Sequence, residues 1–481
     1  MATSRDIRAA LGHPVIDADG HVLEYLPAVE PHLREALGPA AFARYRDQSS
    51  PLHRIMDADV DRRMATRTPQ SAWWGTPARN VRDLATAAAP ALMHERMDEL
   101  GLDFAVLYPT KGFGIAGIAD DGLRAGVCRG FNDFYAATYG PYADRLTTAG
   151  VIPMHTPTEA LEELQHCADL GFKVVAFPEG VTREIPEPVL DGGSPFLLPG
   201  QRHWFDSFGL DSAHDYDPVW AKARELGFAV TFHGGLGNMF TGSFTSVTNY
   251  SFNHVGSFAQ RMHTLVKSLF MGGVTNRFPD MGFAVLECGV GWAAILLNDL
   301  IDHWEKRRPE GLAPLDPAGI DWDELEMLMR RHGPELLAAS DDVRAGLATI
   351  PGIGVPPADP DEWRHVAAST PDEVIERFAP SFYFGCEADD RTVAYAFSPA
   401  NSHGFRLKPI FSSDIGHWDA GDVAGVMAEA YELVEDEILT EDQFRQFVFE
   451  NPAQLFLDQN PDFFAGTPLA DRLPSSAPSD A

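Results

Sequence analysis

Short apolar runs alternate along the chain with longer stretches that have helical periodicity. Eight of these runs predict β-strands, and they begin near residues 14, 104, 149, 172, 228, 283, 380 and 408. Strands that are apolar on both faces and separated by helices are typical of a parallel sheet covered by helices. Eight such units predict an α/β fold, a (β/α)8 TIM barrel. The alternative is a doubly wound open sheet, but a Gly-rich phosphate loop would then be expected after the first strand, where this chain has Asp-Gly-His.

Three long segments interrupt this alternation, and they follow strands one, four and six. They occupy about 23–90, 181–217 and 308–375. Connections of this length usually carry function or are disordered. The pattern therefore predicts one barrel domain over residues 14–466 with three insertions. The remaining residues, 467–481, are mostly Ser, Pro, Ala and Asp, a composition that predicts a disordered tail.

Composition and charge exclude several functional classes. An apolar fraction of 45% supports a full core, and 37 basic against 70 acidic residues give a net charge of -33. This charge repels nucleic acid and anionic lipid, so neither is an expected partner. No stretch resembles a signal peptide or a membrane span, and the four cysteines are far apart. We expect a soluble cytoplasmic protein without a disulfide framework or a cysteine zinc site.

The first predicted strand runs directly into two acids and a histidine, in the stretch IDADGH at residues 16–21. Side chains alternate between the two faces of a strand, so Asp17, Asp19 and His21 are predicted to share one face. Buried acids require a positive partner, and the stretch contains no Lys or Arg. Carboxylate and imidazole together suit Zn²⁺, Mn²⁺ or Fe²⁺. The stretch therefore indicates a divalent-metal site, although a strand that ends in a polar turn is the alternative.

Residues of the same chemical types stand at the ends of three later strands. His233 ends strand five, Glu287 ends strand six and Asp414 ends strand eight. A single histidine or aspartate at such a position is often only a cap. Active residues of a barrel lie at the C-terminal ends of its strands, however, and several ligand types at one end favour a metal site. We therefore predict that these three side chains meet Asp19 and His21 around a divalent cation.

Six motifs follow one another along the chain: IDADGH (16–21), DFAVLYPT (103–110), TFHGG (231–235), RFPDMGFAVLECGVGW (277–292), SSDIGHWD (412–419) and ENPAQLF (450–456). Together they resemble the amidohydrolase superfamily. The resemblance is to its amidohydrolase-related group, which includes aminocarboxymuconate-semialdehyde decarboxylase and the resorcylate and carboxyvanillate decarboxylases. It implies that Asp19, His21, His233 and Asp414 hold a metal, and that the protein is a homodimer.

Two positions depart from the pattern of the superfamily. The first-strand pair is Asp-x-His where His-x-His is usual, and strand six presents Glu287 where a histidine is more common. Glu287 is then either a general base or a carboxylate that bridges to a second metal. His254, His417 and Asp17 are candidates for a second metal or for supporting contacts. In the supporting role, His254 would form hydrogen bonds or contact substrate, and His417 would orient Asp414.

These residues are consistent with more than one reaction on a small organic molecule. One ion of Zn, Mn or Fe, with Asp414 or Glu287 as the proton acceptor from water, predicts a hydrolase of an amide, ester, lactone or activated carbon–carbon bond. If the substrate instead chelates the ion through a carboxylate and a hydroxyl, the same ligands predict a decarboxylase. Two irons would predict a dinuclear monooxygenase, which some proteins on this fold resemble. A non-catalytic partner subunit is the least favoured alternative, because every ligand position is filled.

Overall fold

The computed structural model describes residues 2–56, 59–70, 80–186, 202–234, 246–347, 361–417 and 420–473. Parts of the three insertions, and residues 474–481 of the predicted tail, therefore lie outside the described residues. The strands are β1 Ile16–Val22, β2 Phe104–Pro109, β3 Leu146–Val151, β4 Val174–Pro178, β5 Val181–Glu184, β6 His203–Asp206, β7 Ala229–His233, β8 Phe283–Val285, β9 Phe382–Glu387 and β10 Lys408–Ser412.

Eight of these strands form the parallel barrel that the sequence predicts. Their order is β1-β2-β3-β4-β7-β8-β9-β10, and the seven pairs of neighbouring strands in this order are parallel. The segment after β10 meets β1, because the Asp414 N–H donates to the Asp19 carbonyl at 3.1 Å and the His21 N–H donates to the Ile415 carbonyl at 2.7 Å. The predicted α/β class and (β/α)8 architecture are confirmed.

Helices surround the barrel and connect its strands. They are α1 Ser4–Ala10, α2 Leu26–Met56, α3 Val60–Thr66, α4 Val81–Ala88, α5 Pro90–Leu100, α6 Asp121–Tyr139, α7 Pro157–Asp169, α8 Asp217–Glu225, α9 Tyr250–His254, α10 Ser257–Met271, α11 Val274–Arg277, α12 Gly291–Arg307, α13 Pro309–Leu312, α14 Trp322–His332, α15 Val343–Leu347, α16 Pro371–Phe378, α17 Val426–Glu435, α18 Glu441–Arg445 and α19 Asn451–Gln459. None of the helices in the described part of the chain combines the length and apolarity needed to cross a membrane.

The second insertion contains an antiparallel hairpin, β5–β6, that the sequence analysis did not predict. Arg183 anchors the hairpin, because its Nε donates to Asp206 at 2.6 Å and its Nη2 donates to the Tyr216 hydroxyl at 2.9 Å. Asp206 is 1% exposed, so this ion pair is held inside the protein. The hairpin depends on these tertiary contacts more than on its own apolar residues, which are few.

A bulge in β1 decides which of its acids face the same way. Asp17 is paired with Ala105 and Gly20 with Leu107, so three steps along β1 match two along β2. The extra residue reverses the alternation, and Asp17 and Gly20 point to the same side. The prediction that Asp17 shares a face with Asp19 and His21 is therefore wrong.

We expect Gly20→Ala to lower the free energy of unfolding by about 1–3 kcal/mol, as overpacking of a filled site does. A Cβ atom at Gly20 would lie 2.9 Å from Asp17 Oδ2 and 3.0 Å from Leu107 Cδ2. Urea unfolding measures the effect. Gly12→Ala is the control, because a Cβ there meets no atom within 4 Å. Equal stability of the two variants would contradict the close approach at Gly20.

Candidate metal centre

Five side chains from four strand ends converge on one point at the C-terminal mouth of the barrel. The imidazole Nε2 of His21, on β1, lies near the centre of the group. Its distances are 3.0 Å to Glu287 Oε1, 3.2 Å to His233 Nε2, 3.5 Å to Asp414 Oδ1 and 3.6 Å to Asp19 Oδ1. The structure thus brings together all five residues that the sequence proposed as metal ligands.

The backbone at two of these acids is in a conformation that side chains rarely adopt. Glu287 has φ of 52° and Asp414 has φ of 51°, both in the left-handed region. A non-glycine residue held there costs on the order of 1–3 kcal/mol, and such residues concentrate at functional sites. Each acid stands just beyond its strand, since β8 ends at Val285 and β10 ends at Ser412. The unusual turn directs each carboxylate back into the mouth instead of along the strand.

Asp19 and Glu287 are buried and form no ion pair with a lysine or an arginine of the described residues. Asp19 is fully buried, and neither of its carboxylate oxygens has a hydrogen-bond partner among the described residues. In the same part of the chain, Asp19 and Glu287 form ion pairs with histidines only, namely His21, His233 and His417. Isolated buried charges are costly, and coordination of a cation removes that cost. The donor set of imidazole and carboxylate therefore fits a divalent metal ion.

The pKa shifts in the group follow from burial and from these neighbours. Burial raises the pKa of Asp19 well above its ordinary value, and the nearby Glu287 adds to the effect. Burial also opposes ionisation of Glu287, but His233 and His417 outweigh it and hold the Glu287 pKa well below its usual range. Burial, followed by the adjacent His417, lowers the pKa of His21 to about 3. His21 is thus neutral at neutral pH, the form in which an imidazole can bind a metal.

The structure also places the three residues that the sequence left as candidates for a supporting or second-metal role. The Nδ1 of His417 lies 2.5 Å from Asp414 Oδ1 and 3.0 Å from Glu287 Oε1, so this histidine joins the group. Asp17 is engaged by Ser413 instead, whose backbone N–H and Oγ donate to it at 2.9 and 2.5 Å. Asp17 thereby supports the residue next to Asp414.

His254 lies apart from these donors. It ends α9, is half-buried and stacks on Tyr250 with ring centroids 5.4 Å apart. Among the described residues, two groups of side chains have possible metal-binding atoms within 4.8 Å of one another, one that contains Asp19 and one that contains Glu287. His254 belongs to neither group. The expectation that His254 contacts substrate remains a prediction.

Aromatic side chains at the mouth were missed by the sequence analysis. Phe113 stacks on His233 with ring centroids 4.4 Å apart, and Tyr108 stacks on the same imidazole at 5.8 Å. The buried Glu24 holds the loop before Phe113, because the backbone N–H groups of residues 110–112 and the Tyr135 hydroxyl all donate to its carboxylate. No spacing in the sequence links Glu24 to a loop almost ninety residues away, so this support could not be predicted.

Comparisons with known proteins identify a family for most of the barrel. Residues 16–310 match the protein family described as amidohydrolase. A curated relative, the decarboxylase orsB of Emericella nidulans, is 28% identical over 215 residues, which cover 42% of this chain and 56% of the relative. The structure is also similar to that of an amidohydrolase from Mycobacterium avium subsp. paratuberculosis K-10. That likeness has a TM-score of 0.51 at 17% identity and covers 93% of this chain and 100% of the other.

Proposed function

The chain belongs to the amidohydrolase family, and we propose that it is a metal-dependent decarboxylase of a small aromatic or enol carboxylic acid. The observation that carries this proposal is the buried group of imidazoles and carboxylates at the barrel mouth. Asp19, whose oxygens lack hydrogen-bond partners among the described residues, is its clearest indication of a bound cation. The curated decarboxylase relative supports lyase chemistry, although the match spans 56% of its length.

We propose that Asp19, His21, His233 and Asp414 hold one divalent ion, with Glu287 as a further ligand or a base. Ligand atoms of such an ion lie about 2.0–2.2 Å from it, which places neighbouring donors about 3–4 Å apart. The distances between donor atoms of these five residues, from 3.0 to 3.9 Å, match a single coordination sphere. Two ions about 3.5–4 Å apart would spread their donors more widely. The distances therefore support one ion over the dinuclear iron site of a monooxygenase.

The residues of the mouth have complementary tasks in this reaction. A bound divalent ion supplies the positive charge that holds a carboxylate and an adjacent hydroxyl oxygen. Asp414, in contact with His417, delivers a proton to the carbon that carries the carboxylate. The carbon–carbon bond then breaks, its electron pair returns to the ring or enol, and CO2 leaves. His417 returns a proton from water to Asp414, so one proton is consumed per CO2 released.

The aromatic side chains support a planar substrate. Phe113 and Tyr108 flank His233, and Phe258 lies beside Gly234, since a Cβ atom there would be 2.6 Å from its ring. Rings in offset or edge contact with such side chains gain stabilisation beyond the burial of their area. An aliphatic amide or ester would not make these contacts.

Release of CO2 under anaerobic conditions tests the proposal. Protein loaded with Mn²⁺ or Zn²⁺ is incubated with hydroxybenzoates that carry the hydroxyl next to the carboxylate, and the arene and CO2 are quantified. We expect equal amounts of both, and none after treatment with a chelator. Turnover of amides, esters or lactones in place of the acids would instead assign a hydrolase. A requirement for O2 and two irons per chain would assign a monooxygenase.

A further inference from the structure

Helix α14, in the third insertion, lies on the surface of the protein, and none of its residues is buried. It lies beyond residues 16–310, the part of the chain that matches the family. The Asp321 side chain caps its first turn by accepting from the Glu324 N–H at 2.9 Å. Acidic residues in the first turn and basic residues in the last complement the helix dipole. The local sequence therefore favours a helix here, with opposite charges at its two ends.

The following helix, α15, holds one face of α14. The Arg344 guanidinium lies 5.4 Å from the centre of the Trp322 ring. Its Nε lies 3.2 Å from Glu326 Oε1, and its Nη2 lies 3.6 Å from Asp323 Oδ1. Trp322 and Glu326 are half-buried. These contacts fix α14 through one face and leave the opposite face toward solvent.

The solvent-facing side of α14 presents two apolar side chains between two opposite charges. Met327 is 57% exposed and Leu328 is 42% exposed. Glu324 stands three residues before Met327 and Arg331 three after Leu328, a spacing that puts all four side chains on one face of a helix. Both charged residues are exposed, and neither side chain forms an ion pair among the described residues. This face therefore has an apolar centre, a free acid at one end and a free base at the other.

We infer that α14 packs antiparallel against the α14 of a second copy of this chain. Glu324 and Arg331 each lie about 5 Å along the helix axis from the midpoint between Met327 and Leu328. A two-fold axis through that midpoint places Glu324 of each copy opposite Arg331 of the other, as a self-complementary interface requires. Apolar side chains then form the centre of the contact and charged side chains its rim.

Charge complementarity favours a second copy over other occupants of this face. Each copy has a net charge of -33, so two copies repel one another unless opposite charges meet at their contact. The antiparallel arrangement brings an acid and a base together twice, whereas a parallel arrangement would place Glu324 beside Glu324. A partner with a uniformly acidic or uniformly basic surface would match only one end of the face. A second copy matches both ends.

Sedimentation velocity of the full chain, with and without charge reversal, tests this interface. One helix face is smaller than a standard interface of about 1,600 Å², so we expect the wild-type dimer to dissociate at micromolar concentrations. Glu324→Arg and Arg331→Glu should each weaken the dimer about tenfold or more, because two attractions become two repulsions. The double variant Glu324→Arg/Arg331→Glu should restore the dimer, because it exchanges the charges and keeps their complementarity.

Glu305→Arg and Arg307→Glu are the matched controls, at two exposed positions of α12. They change the net charge by the same amounts and therefore measure its general effect on association. Glu324→Arg makes the chain less negative, which by itself would favour association. A weaker dimer in Glu324→Arg than in Glu305→Arg therefore reports loss of the specific contact.

Disulfide cross-linking gives a second measure of the same contact. Leu328→Cys places one thiol of each copy next to the proposed two-fold axis. Ile295→Cys is the control, since Ile295 is 63% exposed on α12. Mild oxidation should yield more covalent dimer from Leu328→Cys than from Ile295→Cys or the wild type. Equal yields from the two cysteine variants would contradict the inference.

Three sedimentation results would also overturn the inference. They are a wild-type monomer throughout the micromolar range, association that neither single reversal weakens, and association that the double variant does not restore. None of these measurements requires metal or substrate, so their outcome is separate from that of the proposed function.

Discussion

Asp19→Asn will abolish metal binding and lower turnover by about 10³-fold or more, because a bound ion contributes several kcal/mol of transition-state stabilisation. Asp19 is fully buried, and both its carboxylate oxygens lack hydrogen-bond partners among the described residues. Its charge is therefore placed to bind a cation and contributes little else. Inductively coupled plasma mass spectrometry after dialysis measures the metal content per chain, and thus the loss of bound metal.

Although Asp19→Asn removes the metal, we expect it to stabilise the metal-free protein. Burial raises the pKa of Asp19, and the adjacent Glu287 raises it further, so the ionised form is unfavourable without a cation. We expect Asp19→Asn to raise the thermal midpoint in the presence of a chelator and to remove the stabilisation that added metal gives the wild type. Differential scanning calorimetry with and without the chelator measures both effects.

Glu163→Gln is the matched control for a buried acid. Glu163 is 3% exposed and accepts from Asn132 at 2.8 Å and from Arg129 at 3.2 Å, on α7 and away from the mouth. This variant should keep its metal while losing stability. If Asp19→Asn retained a full complement of metal, Asp19 would not be a ligand, and the centre would have to be assigned to the remaining donors.

Asp414→Asn is expected to lower the rate of CO2 release by about 10²–10⁴-fold, the usual contribution of a positioned proton donor. The amide cannot donate and regain a proton as the carboxyl group does. Its neighbour His417, 2.5 Å away, would lose its proton partner as well. Solvent-deuterium incorporation into the product and single-turnover rates measure the proton step. Binding of salicylate separates it from loss of substrate affinity.

Asp458→Asn provides the corresponding control at the other end of the barrel. Asp458 lies on α19 and accepts from the Tyr383 hydroxyl at 3.3 Å, near the start of β9. Its substitution should change turnover little. A rate in Asp414→Asn that matched this control would exclude Asp414 as the proton donor and leave Glu287 as the candidate.

The fold and most of the centre were predictable because both follow from local periodicity. Runs that are apolar on both faces indicated the eight strands of the barrel. Asp19, His21, His233, Glu287 and Asp414 were then identified by their position where each run ends. Parallel strands bring their C-terminal ends to one rim, so these residues had to lie near one another.

Other features depend on contacts between distant segments. The bulge in β1 turns Asp17 toward Ser413, almost four hundred residues away, and a strict alternation could not reveal it. His417 enters the centre only because the chain reverses after Asp414, in a turn with φ of 51°. Glu24 likewise acquires its partners through tertiary packing.

The sequence by itself determined the barrel, the chemical types of the side chains that converge at its mouth and the rim on which they stand. These properties depend on which residues alternate and where the apolar runs stop. Only the tertiary structure decided which acids face the centre and that His417 joins it. The physical reason is that hydrogen bonds and ion pairs act over about 3 Å, and only closure of the barrel brings segments this far apart in sequence within that distance.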